Sequence, residues 1–290
     1  MPVILVTGSN GQLGQSILKF SEQLTDVQFL FHDVDTLDLT RYDEVTKFFK
    51  ENRPGVVVNC AAYTAVDKAE SDRENAFRIN AEVPAFLAKT CAQYQSKLIH
   101  ISTDYVFNGQ TWIPYRETDT PNPQSVYGES KLAGEQKVLQ YAQSTIIRTA
   151  WLYSSLGSNF MKTILRIGKE NDEIRVVADQ TGSPTSASDL AKAVLAIIQQ
   201  TLDNESSYHP GIFHFTNEGI CSWYDFASEI IRITRLNCHV IPIETKDYPL
   251  PARRPFYSVL NKTKIKELYH LNIPNWRDSL QEVLSEHNTL

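Results

Sequence analysis

Two side chains in the stretch Ser125-Val-Tyr-Gly-Glu-Ser-Lys-Leu-Ala-Gly-Glu135 carry chemistry that their spacing could use. Tyr127 and Lys131 stand four residues apart, and a helical pattern runs on through Leu132, Val138 and Leu139. On a helix that spacing puts both side chains on one face. A phenol beside an ammonium can have its pKa lowered from about 10 towards neutrality. Such a phenol gives a proton to a developing alkoxide and takes it back in the reverse direction. With 13 tyrosines in 290 residues, chance supplies such spacings too, so the pair draws its weight from what is placed beside it.

Positioning such a pair takes a scaffold, and the N-terminus shows one. Val3 to Thr7 is a short apolar, β-branched run suited to a strand buried on both faces. Gly8-Ser-Asn10-Gly11-Gln12-Leu13-Gly14 follows, then helical periodicity through Leu18 and Phe20, with Gly14 read as opening the helix. This is the logic of a dinucleotide site: Gly8 permits unusual dihedrals, Gly11 lets the backbone approach a pyrophosphate, and Gly14 allows close helix–strand packing. The helix N-terminus then offers unpaired N–H groups to the anion.

Val27 to Phe31 reads as a second strand ending in His32-Asp33. An acid there accepts hydrogen bonds from the adenosine ribose, which favours NADH over NADPH, and Asp33 and Asp35 compete for the role. Asp38 or Thr40 is expected to cap a helix through Val45, Phe48 and Phe49. Val56 to Ala62 reads as a third strand, and small residues at its end, Ala61 and Ala62, let a flat ligand lie against the backbone. An amphipathic stretch spans Glu74 to Tyr94, a fourth strand spans Leu98 to Ser102 and a fifth Thr145 to Arg148, with a proline-rich loop from Thr118 to Ser125. The alternation predicts an α/β fold, a doubly wound parallel sheet with helices on both faces. Ligands in such sheets bind at the C-terminal strand ends, where Gly8, Ala61, Ala62, Thr103 and the loop before Tyr127 all fall.

Past Trp151 the pattern loosens. Asn159 to Gly168, Asp189 to Gln200 and Trp223 to Ile233 read as helices, Ile174 to Val177 and Phe213 to Phe215 as strands, and two short helices close the chain. Residues 1–150 are expected to form the dinucleotide-binding domain and 151–290 mainly a smaller substrate-binding lobe, with parts of 185–216 returning to the first. Pro249, Pro251 and Pro255 mark a loop carrying Arg253 and Arg254, which bind a diphosphate or pair with surface acids.

Composition narrows the partners. A net charge of −6, a pI near 5.7 and no basic run argue against nucleic acid or an anionic membrane surface. No signal peptide and no run of eighteen apolar residues is visible, so the cytoplasm is the expected location. Cys60, Cys91, Cys221 and Cys238 show no metal or CxxC spacing and are expected to be reduced.

With the glycine turn and Tyr127-x-x-x-Lys131 both placed, the chain resembles the extended short-chain dehydrogenase/reductase superfamily and its Rossmann-type fold. Longer signatures are similar to those of dTDP-4-dehydrorhamnose reductases. They are Asn59-Cys-Ala-Ala-Tyr-Thr-Ala-Val-Asp-Lys-Ala-Glu70, Ser102-Thr-Asp-Tyr-Val-Phe107 and Arg148-Thr-Ala-Trp-Leu-Tyr153, followed by Asp179-Gln-x-Gly-Ser-Pro-Thr185 and Arg254-Pro-x-x-Ser-x-Leu260. The resemblance implies NADPH or NADH reducing the C4 ketone of dTDP-4-dehydro-L-rhamnose. It gives Tyr127 the role of proton donor. Lys131 lowers the phenol's pKa and holds the nicotinamide ribose, and Thr103 hydrogen-bonds the sugar carbonyl. It places Gly11, Gln12 and Leu13, with Gly8 and Asn10 in the same turn, on the pyrophosphate, Asp38 and Leu39 on the adenine, and Ala61, Ala62, Tyr63 and Thr64 on the nicotinamide side. Asp104 and Trp151 fall where the family touches the sugar.

One departure concerns metal. Some family members hold Mg²⁺ at a dimer contact through glutamates, one of them just after the third glycine, where this chain reads Gln15-Ser16. A hard cation wants carboxylates, so no metal is expected, and the chain is read as a monomer or homodimer. Two other readings compete. A related nucleotide-sugar epimerase or 4,6-dehydratase is one, but Asp104 is followed by Tyr105 rather than the glutamate of a dehydratase pair. A non-catalytic regulatory subunit like that of methionine adenosyltransferase is the other, and it lacks the continuation found here from Tyr63 to Glu70.

Overall fold

The short β-branched runs of the N-terminal half lie side by side. The computed structural model describes residues 1–289 and builds from these runs a six-stranded sheet. Its order is Gly211–His214, Ser144–Thr149, Lys97–Thr103, Val56–Asn59, Val3–Thr7 and Gln28–His32. All its pairings are parallel. Successive residues face opposite sides. Ile4, Val6, Val58 and Ile147 pack under the helices Gln12–Ser21 and Ala187–Asp203. Leu5, Val57, Leu98 and Ile146 pack under Tyr42–Asn52, Val83–Tyr94 and the end of Val126–Val138. Burial on both faces is why these strands read as continuous apolar runs.

The first strand has the second on one side and the third on the other, so the order reverses there and opens a crevice at the strand ends. The third strand stops at Asn59 rather than running to Ala62. Its Asn59 side chain accepts the Ala61 N–H and so turns the chain out of the sheet.

Several local expectations shift. The helix after the glycine turn starts at Gln12, with Gly11 extended at its N-cap, so Gly14 lies inside its first turn. Arg41, not Asp38 or Thr40, stands at the N-cap of Tyr42–Asn52, and no side chain caps that helix. Asp38 Oδ1 instead accepts from Thr40 N–H and Oγ1, the local Asx turn that competes with capping. The stretch from Glu74 to Tyr94 is helix Arg73–Phe77, a π-helical turn Arg78–Glu82 and helix Val83–Tyr94. Pro84 has no N–H to give Asn80 O, which accounts for the widened turn.

A second apolar cluster gathers Tyr153, Met161, Phe226, Ile230, Trp276 and Leu280. Beside it, Glu173–Val177 pairs in parallel with His239–Ile243, a strand the sequence does not announce because Pro242 interrupts it. The closing helix Trp276–Thr289 has 14 residues and is not short. No helix among the described residues is long and apolar enough to cross a membrane.

Candidate active site

At the C-terminal strand ends lies a cleft of about 820 Å³. The glycine turn forms its floor. Gly8 sits at φ +67, and a Cβ there would stand 2.6 Å from Ala61 N, so the turn and the Cys60-Ala61 segment touch backbone to backbone. A Cβ on Gly14 would stand 2.5 Å from Gly8 O. The helix that opens at Gln12 has no side-chain cap on its first N–H groups and no acid in its first turn. Those donors fit the two negative charges of a pyrophosphate. Asn10, Gly11, Gln12 and Leu13 line this end, as do Asp38 and Leu39 beyond it.

Asp33 lines the cleft, and its Oδ2 accepts the Asn10 N–H at 2.8 Å; Asp35 is exposed and outside it. Ala62 and Thr64 line the opposite wall. Tyr63 is the predicted residue that does not. Its hydroxyl donates to Asp72 and its backbone N–H to Asn80 Oδ1, turning the ring away towards the packing around Ala69 and Ala76. Asn80 also donates to Tyr63 O and Ser130 Oγ, strapping this loop to the Tyr127 helix.

Thr103, Asp104, Tyr127, Lys131 and Trp151 line the inner part of the same cleft. Ser125 caps the Tyr127 helix by accepting the Gly128 N–H. Gly128 lets that helix sit against Tyr105, whose ring meets the Tyr127 ring edge-on at 5.4 Å. Lys131 Nζ donates to Ile101 O at 2.7 Å and lies 3.5 Å from His100 Nε2. Burial pushes the Tyr127 phenol up to about 12, with the Thr103 hydroxyl pulling the other way. Burial also lowers the Lys131 ammonium to about 8. The lowering of the phenol expected from Lys131 is therefore not what governs it: burial, Thr103 and Asp104 set its direction. A phenol held this high stays protonated at neutral pH, the state that a proton donor requires.

Thr103 Oγ1 donates to Asp104 Oδ1 at 3.0 Å and accepts the Tyr105 N–H. Among the described residues, Asp104 Oδ2 and Ser102 Oγ are buried without a hydrogen bond of full geometry, on residues that line the cleft, though the Ser258 hydroxyl lies near enough to act on the Asp104 carboxyl. Burial raises the Asp104 carboxyl to about 6 against the hydroxyls of Ser258 and Thr103. Trp151 has a left-handed backbone, φ +50, and its ring stacks on Trp223 with centroids 3.5 Å apart. A Cβ on Gly182 would stand 2.6 Å from that ring. A left-handed backbone at a side chain held by two neighbours is strain of the kind that functional sites hold.

Part of the lining was outside the sequence reading. Gly157, Ser158 and Asn159 line the cleft, and Gln12 Oε1 accepts from both Ser154 Oγ and Asn159 Nδ2 at 2.9 Å. Residues so far apart in the chain leave no local pattern to find. Arg254 forms a bidentate pair with Asp67 at 2.6 Å, so it meets an acid of the chain, while Arg253 is exposed. Cys60 lines the cleft with its thiol pushed up to about 12 by burial.

A family model described as RmlD substrate binding domain matches residues 1–289. A dTDP-4-dehydrorhamnose reductase of Sinorhizobium fredii is 40% identical over 286 residues, covering 97% of this chain and 96% of its own. The crystal structure of a dTDP-4-dehydrorhamnose reductase from Clostridium acetobutylicum superposes with a TM-score of 0.92, at 45% identity and 99% coverage of both chains. A Bacillus anthracis dTDP-4-dehydrorhamnose reductase in complex with NADP gives 0.91 at 38% identity, covering 99% of this chain and 100% of that one.

Proposed function

The chain belongs to the dTDP-4-dehydrorhamnose reductase family, and on that footing we propose that it reduces the C4 ketone of dTDP-4-dehydro-L-rhamnose to dTDP-L-rhamnose. It is a nicotinamide-dependent oxidoreductase. The bound cofactor supplies the hydride. The residues present fit it: the uncapped N–H groups at Gln12 to Gly14 would hold the pyrophosphate, Asp33 the ribose, and Ala61 and Ala62 would leave room for the nicotinamide.

The chain's own work is binding and proton transfer. Thr103 turns its hydroxyl from Asp104 Oδ1 to the sugar carbonyl oxygen, and a donor of that kind is worth about 3 kcal/mol of barrier. Tyr127 gives its phenolic proton to that oxygen as the hydride reaches C4, which turns the ketone into an alcohol and leaves a phenolate. Lys131 holds the nicotinamide ribose and steadies the phenolate. Asp104 and Trp151 contact the sugar, and the cluster around Phe226 and Trp276 supports reading residues 151–290 as mainly the substrate side. The observation that carries this reading is the convergence of the glycine turn, Thr103, Tyr127 and Lys131 on one cleft.

The deciding assay follows NADH or NADPH consumption with dTDP-4-dehydro-L-rhamnose generated in situ, beside a 4-dehydro-D-glucose analogue. Turnover of the first and little of the second is expected; turnover of neither rejects the substrate. Tyr127→Phe removes the proton and should lower kcat by about 10²- to 10⁴-fold. Activity retained in that variant would end the proton-donor assignment.

A further inference from the structure

From the cleft lining at Thr7 inward, Thr7, Asn59 and His100 form a buried polar row that leads to Lys131 and that the chemistry above does not use. The orientation of Asn59 follows from a donor that cannot be reversed. Ala61 N–H donates to Asn59 Oδ1 at 3.2 Å, and Thr7 Oγ1 donates to the same oxygen at 2.8 Å. The amide nitrogen is left facing His100 Nδ1 at 3.0 Å. An NH₂ group only donates, so Nδ1 must accept, and a neutral imidazole then carries its proton on Nε2. That Nε2 lies 3.5 Å from Lys131 Nζ, whose other contact is the Ile101 carbonyl at 2.7 Å. An N–H facing an ammonium sets donor against donor. Facing a neutral amine, it meets a lone pair.

We propose that Asn59 locks His100 as its Nε2–H tautomer, and that His100 is thereby a positioning residue for Lys131, disfavouring the ammonium and holding the amine at the Ile101 carbonyl. Burial, with Lys131 beside it, keeps the imidazole uncharged. The other charged or titratable groups that act on the amine are the Cys60 thiol after the third strand and Glu135 on its own helix. Glu135 is tied to Arg148 of the fifth strand and so has its charge already matched. Lys131 is then charged only up to mildly alkaline pH, and the alkaline limb of kcat/KM reports its proton. That kinetic readout rests on the role proposed for Lys131 in the reduction; the tautomer does not.

The test begins with ¹⁵N NMR of the histidine-labelled full chain at neutral pH. An unprotonated Nδ1 and a protonated Nε2 are expected for His100. A protonated Nδ1, or an imidazolium, overturns the proposal whether or not the protein reduces any sugar. Asn59→Asp then puts a carboxylate oxygen where the NH₂ stood, which requires Nδ1–H and turns Nε2 into an acceptor for Lys131. The two ¹⁵N signals should exchange character, and the alkaline limb should move up by about one pH unit. An exchanged tautomer with an unmoved limb overturns the action on Lys131. Should that variant fail to fold, the native protein decides it. The His100 Nε2 signal, followed through the alkaline range, must respond as Lys131 loses its proton, and a silent signal refutes the coupling.

Discussion

At the end of the second strand, Asp33 Oδ2 accepts the Asn10 N–H, so its carboxylate is fixed on the cleft lining, at the place proposed above for the adenosine ribose. Lys131, at the inner end, is the one Lys or Arg among the residues lining the cleft. A 2′-phosphate would thus meet Asp33 with no cation among the lining residues to offset it. A repulsion of about 1 kcal/mol, as two charges feel at about 4 Å in water, is a factor of five or so. Higher kcat/KM with NADH than with NADPH is expected, and Asp33→Ser should narrow the gap through a lower KM for NADPH. Steady-state kinetics with both cofactors check it, and a native preference for NADPH would contradict it. At this scale the sequence was informative wherever residue type alone carries the chemistry: Tyr127, Lys131, Thr103 and the glycines all reach one cleft. It was silent on contacts made across the fold. Neither the Gln12 bridge to Ser154 and Asn159 nor the left-handed Trp151 has a local signature.

Among the elements, the Tyr127 helix is the one whose placement decides the site. Gly134 lets it approach the π-helical turn so closely that a Cβ there would run into Asn80 O. Farther along, Glu135 makes a two-point ion pair with Arg148 of the fifth strand, both side chains 1% exposed, while Arg148 lies over the Phe107 ring. Removing one partner of such a pair strands the other charge. Glu135→Ala is expected to cost about 3–5 kcal/mol, read as a lower urea midpoint with an unchanged m-value. A loss below about 1 kcal/mol would mean that Arg148 finds water or His214 instead. The elements themselves were largely legible, because doubly buried strands leave continuous β-branched runs. What escaped was set by single residues acting on their neighbours. Pro84 opens the π turn, Asn59 ends the third strand early, and Pro242 hides a strand that pairs only with Glu173–Val177.

For the molecule as a whole, the open matter is whether copies join through a metal. The helix after the glycine turn presents Gln15 where family members with Mg²⁺ carry a glutamate. Gln15 turns its amide nitrogen back to Asn10 O at 3.2 Å, and a neutral carboxamide is a poor substitute for a carboxylate at a hard cation. On the same helix Lys19 pairs with Glu286 of the closing helix at 2.7 Å, so an acid available to that face is already matched by a lysine. Dialysis against a chelator is therefore expected to leave both the reductase rate and the sedimentation coefficient unchanged, and added Mg²⁺ to alter neither. Chelation that halves the rate or splits a dimer, with Mg²⁺ restoring it, would show that other acids assemble a site between copies. Gln15→Glu offers the converse measurement. If the missing carboxylate is what withholds the metal, that variant should gain a Mg²⁺-dependent increase in sedimentation coefficient that the native chain lacks.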